Sequence, residues 1–379
     1  MSLEKKNMIY HIYWGTAGNA GLYLDEIYQS LRKAGYEQKV FVSYYYPFNY
    51  GEKIFFKRTE MEHCKYKGLL RKVVMAFEFL NSLFFIFIAT FKDKPQIINY
   101  SYVSSGNALL LFFLKSIKRL SGARLIITCH DVVPTINGEA AYNKELNIKQ
   151  HIYSLGDYFL IHNKSSRDEL MKLFHVNSSL ILWHPFPLMD LSKMDKSTSM
   201  GEIKYDFLFI GHMRQEKGIS LLVDAWIGFH ARYPSSTLCI AGNPNYYEQF
   251  LRDRKKACEE NNITLKLGFI NDEDYIKLVK SARCVVFPYT AGTNSGVIST
   301  VVSLNRDVIT SNLGMFTTNP FVPKENVFTA GDVDSLVRKM GEYMEGLLVS
   351  DSKERVVRYK AEFERRVVDV YNVVMQSLN

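Results

Sequence analysis

Cysteine is scarce in this chain and cannot form a framework. The 379 residues hold five, Cys64, Cys129, Cys239, Cys258 and Cys284, odd in number and scattered. None has metal-site spacing and three lie in apolar strand-like runs, so buried thiols in a reducing compartment are expected. No short internal repeat or low-complexity tract is present. The dinucleotide fingerprint G-x-G-x-x-G is also missing: GTAGNAG puts Gly15, Gly18 and Gly21 at a different spacing, which argues against a nicotinamide-dependent oxidoreductase. The net charge of +8 is spread along the chain rather than gathered into a basic face with interleaved aromatics, which argues against a nucleic-acid binder. MSLEKKNMIYHIYW runs directly into a predicted strand, so no signal peptide is expected.

What remains is a soluble globular composition, 47% hydrophobic and 23% charged, in a chain long enough for two domains. The positive balance favours an anionic partner. Short apolar runs alternate with helical periodicity almost throughout. Strands are predicted at 8–14, 37–44, 96–102, 123–130, 157–163 and 178–184, then at 206–210, 236–241, 264–270, 284–288, 307–311 and 326–329. Helices are predicted at 20–33, 70–91, 105–120, 145–154 and 165–174, then at 217–230, 246–260, 272–282, 296–304 and 333–347. That alternation means βαβ units and parallel sheets, an α/β fold. The polar stretch 187–204 reads as a linker, so domains are expected over 1–190 and 191–351. A long amphipathic helix over 352–379 follows, its stripe running through Val356, Tyr359, Phe363, Val367, Val370 and Val374.

One apolar segment, 73–91, approaches the length of a membrane span. Glu78, Asn81 and Ser82 interrupt it and share a face at helical spacing, which opposes crossing. A buried domain helix is the commonest alternative. Its basic flanks (Lys65, Lys67, Arg71, Lys72, Lys92 and Lys94) and Phe-rich side also fit an interfacial helix on anionic lipid.

Two loops carry the chemistry. In FLFIGHMRQEKG, 207–218, a strand ends at Gly211, and Arg214 and Lys217 bring a planar fork and a point charge that suit phosphate oxygens. Lys217 is expected to open a helix. In VFPYTAGTNSGVISTV, 286–301, Gly292 and Gly296 free the backbone around Thr293, Asn294 and Ser295, and Ser295 suits an N-cap. Such a turn offers N–H groups to an anion. The bland readings, a solvated surface turn and an ordinary helix cap, remain open for each loop alone. As an ordered pair they imply one diphosphate held from two sides. No pair of carboxylates suited to Mg²⁺ lies at these loops, so no metal is expected.

These residues carry a resemblance. GHMRQEKGISLLVDAW at 211–226, LCIAG at 238–242, LGFINDEDYIKLVKSA at 267–282 and VFPYTAGTNSGV at 286–297 are similar, in order and spacing, to the donor domain of the retaining GT-B glycosyltransferases of family 4, the glycosyl transferases group 1. The first half resembles them more loosely, through WGTAGNAG at 14–21, TCHDVVP at 128–134 and FLIHNKSSRDEL at 159–170. The resemblance implies two Rossmann-like, doubly wound parallel-sheet domains facing a cleft. The first binds acceptor, the second binds donor, and the last helix crosses back to the first. It implies sugar transfer from a nucleotide-diphosphate sugar to a saccharide or lipid-linked saccharide, with retention, in bacterial surface polysaccharide assembly.

By the same resemblance Arg214, Lys217 and His130 serve catalysis, Asp131 caps or orients, and Gly18, Asn19, Gly211, Thr293, Asn294, Ser295, Gly296 and Val297 bind the donor. The implied place is the cytoplasm, peripheral at the inner face of the plasma membrane. Many members carry two donor-loop glutamates; the aligned positions here are Gly292 and Thr300. The alternative is therefore a catalytically inactive, sugar-nucleotide-binding partner.

Overall fold

The computed structural model describes residues 8–15, 20–44, 46–59, 64–101, 108–130, 132–133, 139–188, 202–244, 247–292, 296–348 and 352–378. Gly18, Asn19, Asp131, Thr293, Asn294, Ser295 and most of the predicted linker lie outside them. The chain divides into two compact units, one of Met1–Pro187 with Ala361–Asn379, the other of Leu188–Lys360.

The first unit runs β1 (Met8–Tyr13), α1 (Ala20–Lys33), β2 (Glu37–Ser43), β3 (Glu52–Phe55), α2 (Gly68–Asp93), β4 (Ile97–Ser101), α3 (Ala108–Ser121), β5 (Arg124–Thr128), α4 (Glu139–Tyr153), β6 (Tyr158–Ile161), α5 (Lys164–Phe174) and β7 (Ile181–Trp183). Its seven strands are parallel, in the order β3-β2-β1-β4-β5-β6-β7. Both faces are covered, so alternate residues of one strand feed different cores. Tyr10, Ile12, Ile98, Tyr100, Leu125 and Ile127 pack on the side of α2 and α3. Ile9, Ile97, Ile126 and Leu160 pack with Tyr23, Ile27 and Leu31 of α1.

The second unit runs β8 (Tyr205–Ile210), α6 (Ile219–His230), β9 (Leu238–Gly242), α7 (Glu248–Asp253), α8 (Lys255–Glu260), β10 (Ile263–Leu267), α9 (Asp272–Lys280), β11 (Ala282–Phe287), α10 (Gly296–Ser303), β12 (Asp307–Ser311), α11 (Gly314–Thr317), β13 (Val327–Phe328) and α12 (Val333–Met344). Its six parallel strands take the order β10-β9-β8-β11-β12-β13. The order reverses between β8 and β11, the switch point where open α/β sheets bind ligands beyond the strands' carboxyl ends. In α6 the predicted stripe Ile219, Leu222, Val223, Trp226 and Phe229 is fully buried. The Asn271 side chain caps α9 by accepting from Asp274 N–H at 2.9 Å, ahead of three acids that suit a helix start.

Helix α13 (Ser352–Gln376) spans the boundary of the two units, which falls between Lys360 and Ala361. Phe363, Val367, Val370, Tyr371 and Val374 complete the first unit's α1-side core. Tyr359 stacks edge-on against Phe321 at 4.3 Å in the second unit.

Several expectations need correcting. Strand β3 was not foreseen. The helix expected over 246–260 is two, broken at Arg254, whose backbone leaves the helical region (φ −98°, ψ 10°). The strand expected over 264–270 ends at Leu267, because Gly268 turns the chain at φ 132°. The 73–91 segment is no buried helix: only 28% of its apolar window is covered. Of the interrupting residues, Glu78 and Ser82 turn inward and Asn81 stays exposed. Cys129, Cys239, Cys258 and Cys284 are buried free thiols, and Cys64 is half-buried.

Candidate functional site

The loops after β8 and β11 meet at the switch point of the second unit. Gly211 N–H bonds the Ala241 carbonyl at 3.0 Å and Met213 N–H bonds the Asn243 carbonyl at 2.9 Å, so the first loop leaves β8 tied to the end of β9. Gly242 lets the two approach: a Cβ there would sit 1.9 Å from the Gly211 carbonyl oxygen. Buried Met213 anchors the loop and leaves Arg214 exposed beyond it.

Lys217 does not open the helix, contrary to the sequence reading. It ends a short 3-10 turn, Gln215–Lys217, and α6 starts two residues later. The cause is Gly218, left-handed at φ 68°, whose backbone lies flat against the second loop. A Cβ on Gly218 would fall 1.9 Å from the Pro288 carbonyl oxygen. Thr290 N–H donates to the Glu216 carbonyl at 2.9 Å, completing the seam. The Lys217 ammonium rests 3.7 Å from the centre of the Tyr289 ring. That ring is itself buried against Phe287 and Phe316, at 5.8 and 5.4 Å. Burial lowers the Lys217 pKa, with Arg214 adding to the effect and Glu216 opposing it. A cation so desolvated interacts strongly with an incoming anion.

At the two glutamate-aligned positions the structure offers no carboxylate. Gly292 sits at φ 139° beside Met315. Thr300 is buried; its hydroxyl donates to the Val297 carbonyl at 2.7 Å and so accepts from Tyr275 at 2.8 Å. That closed hydrogen-bond set leaves Thr300 inward. Gly296 and Val297 open α10, while the Thr293–Ser295 turn lies outside the described residues.

His130 belongs to the first unit, two residues past β5. Sequence reading missed its company. His162 and His184 follow β6 and β7 in the same way, and the sheet order sets the three strand ends side by side. Their rings surround Tyr23 of α1, with centroids 4.6 Å (His130), 5.2 Å (His162) and 6.0 Å (His184) from it. The Tyr23 hydroxyl bonds His184 Nε2 at 3.2 Å, and His184 Nδ1–H reaches the Pro185 carbonyl at 2.7 Å. Burial pushes His130 and His184 down to about 4 and His162 well below its usual value. All three are therefore neutral at pH 7, and His130 can donate or accept a hydrogen bond but brings no charge. The signal was legible: TCH, LIHN and LWH are three apolar runs each closed by a histidine. Among the described residues no group of three His, Cys, Asp or Glu side chains is arranged to hold a metal ion.

Residues 204–345, which cover most of the second unit, match the Glycosyl transferases group 1 family. No curated protein matches the chain in sequence. Solved structures resemble it along nearly its whole length, and three of them illustrate the range. Alr3699/HepE from Anabaena in complex with UDP is 13% identical, with a TM-score of 0.60 over 98% of this chain and 99% of that one. The lipopolysaccharide outer core galactosyltransferase WaaB is 12% identical, with a TM-score of 0.56 over 98% and 100%. The catalytic domain of starch synthase IV from Arabidopsis thaliana, bound to ADP and acarbose, is 9% identical, with a TM-score of 0.60 over 97% and 99%. Two parallel-sheet α/β units with these likenesses define the GT-B fold. The fold and the family match over the second unit together support a GT-B glycosyltransferase.

The seam gives a direct test of its own geometry. Gly218→Ala is expected to cost about 2 kcal/mol, from the left-handed backbone and the Pro288 clash together. Gly228→Ala, inside α6 with nothing within 4 Å of the added methyl, is expected to stabilise by about 1 kcal/mol. Denaturant midpoints of the second unit's transition distinguish the two; equal midpoints would show that the loops are not held together this way.

Proposed function

We propose that the chain transfers a sugar from a nucleotide-diphosphate sugar to a saccharide or lipid-linked saccharide acceptor, with retention at the anomeric carbon and without a metal. The observation that carries this reading is the seam at the switch point, where a desolvated Lys217 and an exposed Arg214 lie on the loop that is tied to Pro288–Thr290 after β11. As the bond to the sugar breaks, negative charge gathers on the departing β-phosphate. Preorganised cations and N–H groups facing that charge lower the barrier, because they need no reorganisation as it forms. Arg214 and Lys217 take this role, with Gly211 and the 293–297 turn lining the diphosphate. Gly18 and Asn19 are assigned to donor binding. Neutral His130 hydrogen-bonds the transferred sugar or the acceptor. The reading places the chain in the cytoplasm, peripheral at the inner face of the plasma membrane, in bacterial surface polysaccharide assembly. UDP and UDP-glucose occupy the HepE structures, so UDP-sugars are the first donors to try.

Gly292 and the inward-locked Thr300 favour a second reading, a sugar-nucleotide-binding partner without turnover. One experiment addresses both. At a hundredfold excess over Kd, a bound nucleotide is expected to raise the melting temperature by roughly 5 °C. Screening UDP-, GDP-, ADP- and CDP-sugars by thermal shift, then assaying the one that binds for nucleotide release, identifies the donor. Binding without release selects the partner reading. No shift with any of the four removes both.

A further inference from the structure

Helix α2 is apolar on two sides. Leu83 and Ile86 pack into the core, and Glu78 and Ser82 turn inward with them: Glu78 accepts from Arg58 N–H at 2.6 Å and from the Thr59 hydroxyl at 2.8 Å, and the Ser82 hydroxyl bonds the Ile54 carbonyl at 2.8 Å. A second set of apolar residues faces out. Leu70, Val73, Phe77, Leu80, Phe84 and Phe91 recur at intervals of three, four and seven and stand 47–65% exposed. The stripe is one continuous arc about 30 Å long, set along the helix rather than around it. Helix α3, packed against α2, leaves Phe112 71% exposed. A patch of this size on a soluble chain marks an interaction surface.

The charges around the stripe choose the partner. Lys65, Lys67 and Lys72 at one end and Lys92 and Lys94 at the other are all exposed. The acids of α2 are engaged: Glu78 as above, and Asp93 with Lys39 and Tyr10. Beside the stripe, a cleft of about 260 Å³ is bounded by Lys53, Lys57, Arg58, Tyr44, Phe77 and Phe85. Three cations and one carboxylate line this cleft, and that carboxylate, Glu78, is already held by Arg58 N–H and the Thr59 hydroxyl, so the cleft suits a phosphate-sized anion; Phe77 belongs to both cleft and stripe. Two copies meeting stripe to stripe would bring like charges together, with no acid on α2 to answer them. Crossing a bilayer would strip Glu78 and Ser82 of their partners.

We propose that α2 lies flat on an anionic phospholipid leaflet, with the Leu70–Phe91 stripe among the acyl chains and Lys53, Lys57 and Arg58 on a headgroup phosphate. This goes beyond the donor chemistry and does not depend on it, since every residue invoked belongs to the first unit. It sets where an acceptor would be met.

Flotation of the full chain with vesicles tests it. The protein is expected to float with phosphatidylcholine–phosphatidylglycerol vesicles and to stay behind with phosphatidylcholine alone. High salt is expected to lower the bound fraction about tenfold or more, through loss of the electrostatic attraction. Lys53→Glu with Lys57→Glu is expected to weaken binding about a hundredfold. Phe77→Ser with Phe84→Ser and Phe91→Ser is expected to abolish it, with the melting temperature kept because these side chains are exposed. Phe84→Trp reports insertion independently, through a blue shift of its emission on the mixed vesicles only. Equal binding to both vesicle types, or no effect of either set of substitutions, overturns the proposal. So does a lipid-free dimer that the Phe variant dissolves, with no vesicle binding, which would make the face a contact between copies. Loss of sugar transfer with flotation intact would count against the donor reading alone.

Discussion

Lys217→Ala is expected to lower the turnover of a bound nucleotide-sugar by about a hundred- to a thousandfold, the range seen when one preorganised charge-stabilising group is removed. The ammonium sits on the Tyr289 ring, between the two loops that Gly218 and Thr290 hold in register. Burial has already cost this cation part of its hydration. A departing diphosphate restores the lost interaction, and the restoration is greatest when the leaving charge is fully formed. The effect should therefore fall mainly on kcat, with a smaller rise in KM. Arg214, exposed and more loosely held, is expected to contribute less. Lys217→Arg should recover only part of the loss, since the broader guanidinium can stack on Tyr289 yet cannot present a compact charge at the same point. The measurement is nucleoside diphosphate release under single-turnover conditions, with Lys204→Ala as a control. Should wild type bind donor without turning it over, the same variant is read by thermal shift, where it should lose most of the nucleotide-induced stabilisation. Unchanged release and unchanged binding together would remove Lys217 from the site.

Acid is expected to unfold the first unit well before the second. His11 and His184 are fully buried, and burial holds each at about 4 against an ordinary 6.5. His11 is fixed as the neutral tautomer: Asn99 Nδ2 approaches its Nδ1 at 3.2 Å, while its Nε2–H meets Gln38 Oε1 at 3.0 Å. A depressed histidine pKa means that the unfolded chain binds protons the folded one refuses. The stabilisation is thus complete above about pH 6.5 and is lost progressively as pH falls towards 4. At pH 5 the loss is about 2 kcal/mol for each imidazole, or about 4 kcal/mol for the pair. His130 and His162 shift in the same direction and deepen the trend. Denaturant midpoints for the first unit's transition at pH 7.5 and pH 5 measure it, and His11→Gln with His184→Gln should flatten the dependence. A midpoint that does not move between those pH values would mean that the imidazoles are hydrated in solution.

The alternation of apolar runs made the two parallel sheets legible, and the stripe of α6 could be placed residue by residue. The two loops were paired on their chemistry and on a resemblance rather than on any local signal of contact, because the pairing of β8 with β11 is a long-range fact: no local pattern shows that strands some 75 residues apart are neighbours. The histidine trio failed for the same reason. Each residue was visible at the close of its own run, and only the order β5-β6-β7 gathers them. Helix α2 shows a different limit. Spacing put Glu78 and Ser82 on one face, but which face turns inward depends on the backbone groups waiting there. Those are Arg58 N–H and the Ile54 carbonyl, and Ile54 lies on β3, a short strand with only two apolar residues that was not recognised. These polar anchors, together with Leu83 and Ile86 in the core beside them, set the orientation and leave the Leu70–Phe91 stripe outside. The start of α6 was misplaced because Gly218 was read as following the helix start, when its left-handed backbone defines that start.

The division of α13 between Lys360 and Ala361 bears on the order in which the molecule is made. The second unit is contiguous in sequence and can close as soon as its own residues leave the ribosome. The first unit is translated earlier but finished later. Its α1-side core keeps an open apolar face until Phe363, Val367, Val370, Tyr371 and Val374 arrive, after the whole of the second unit. The unit begun first is therefore sealed after the second one. Until then, the nascent chain carries that unfilled groove through the whole time the second unit is being built.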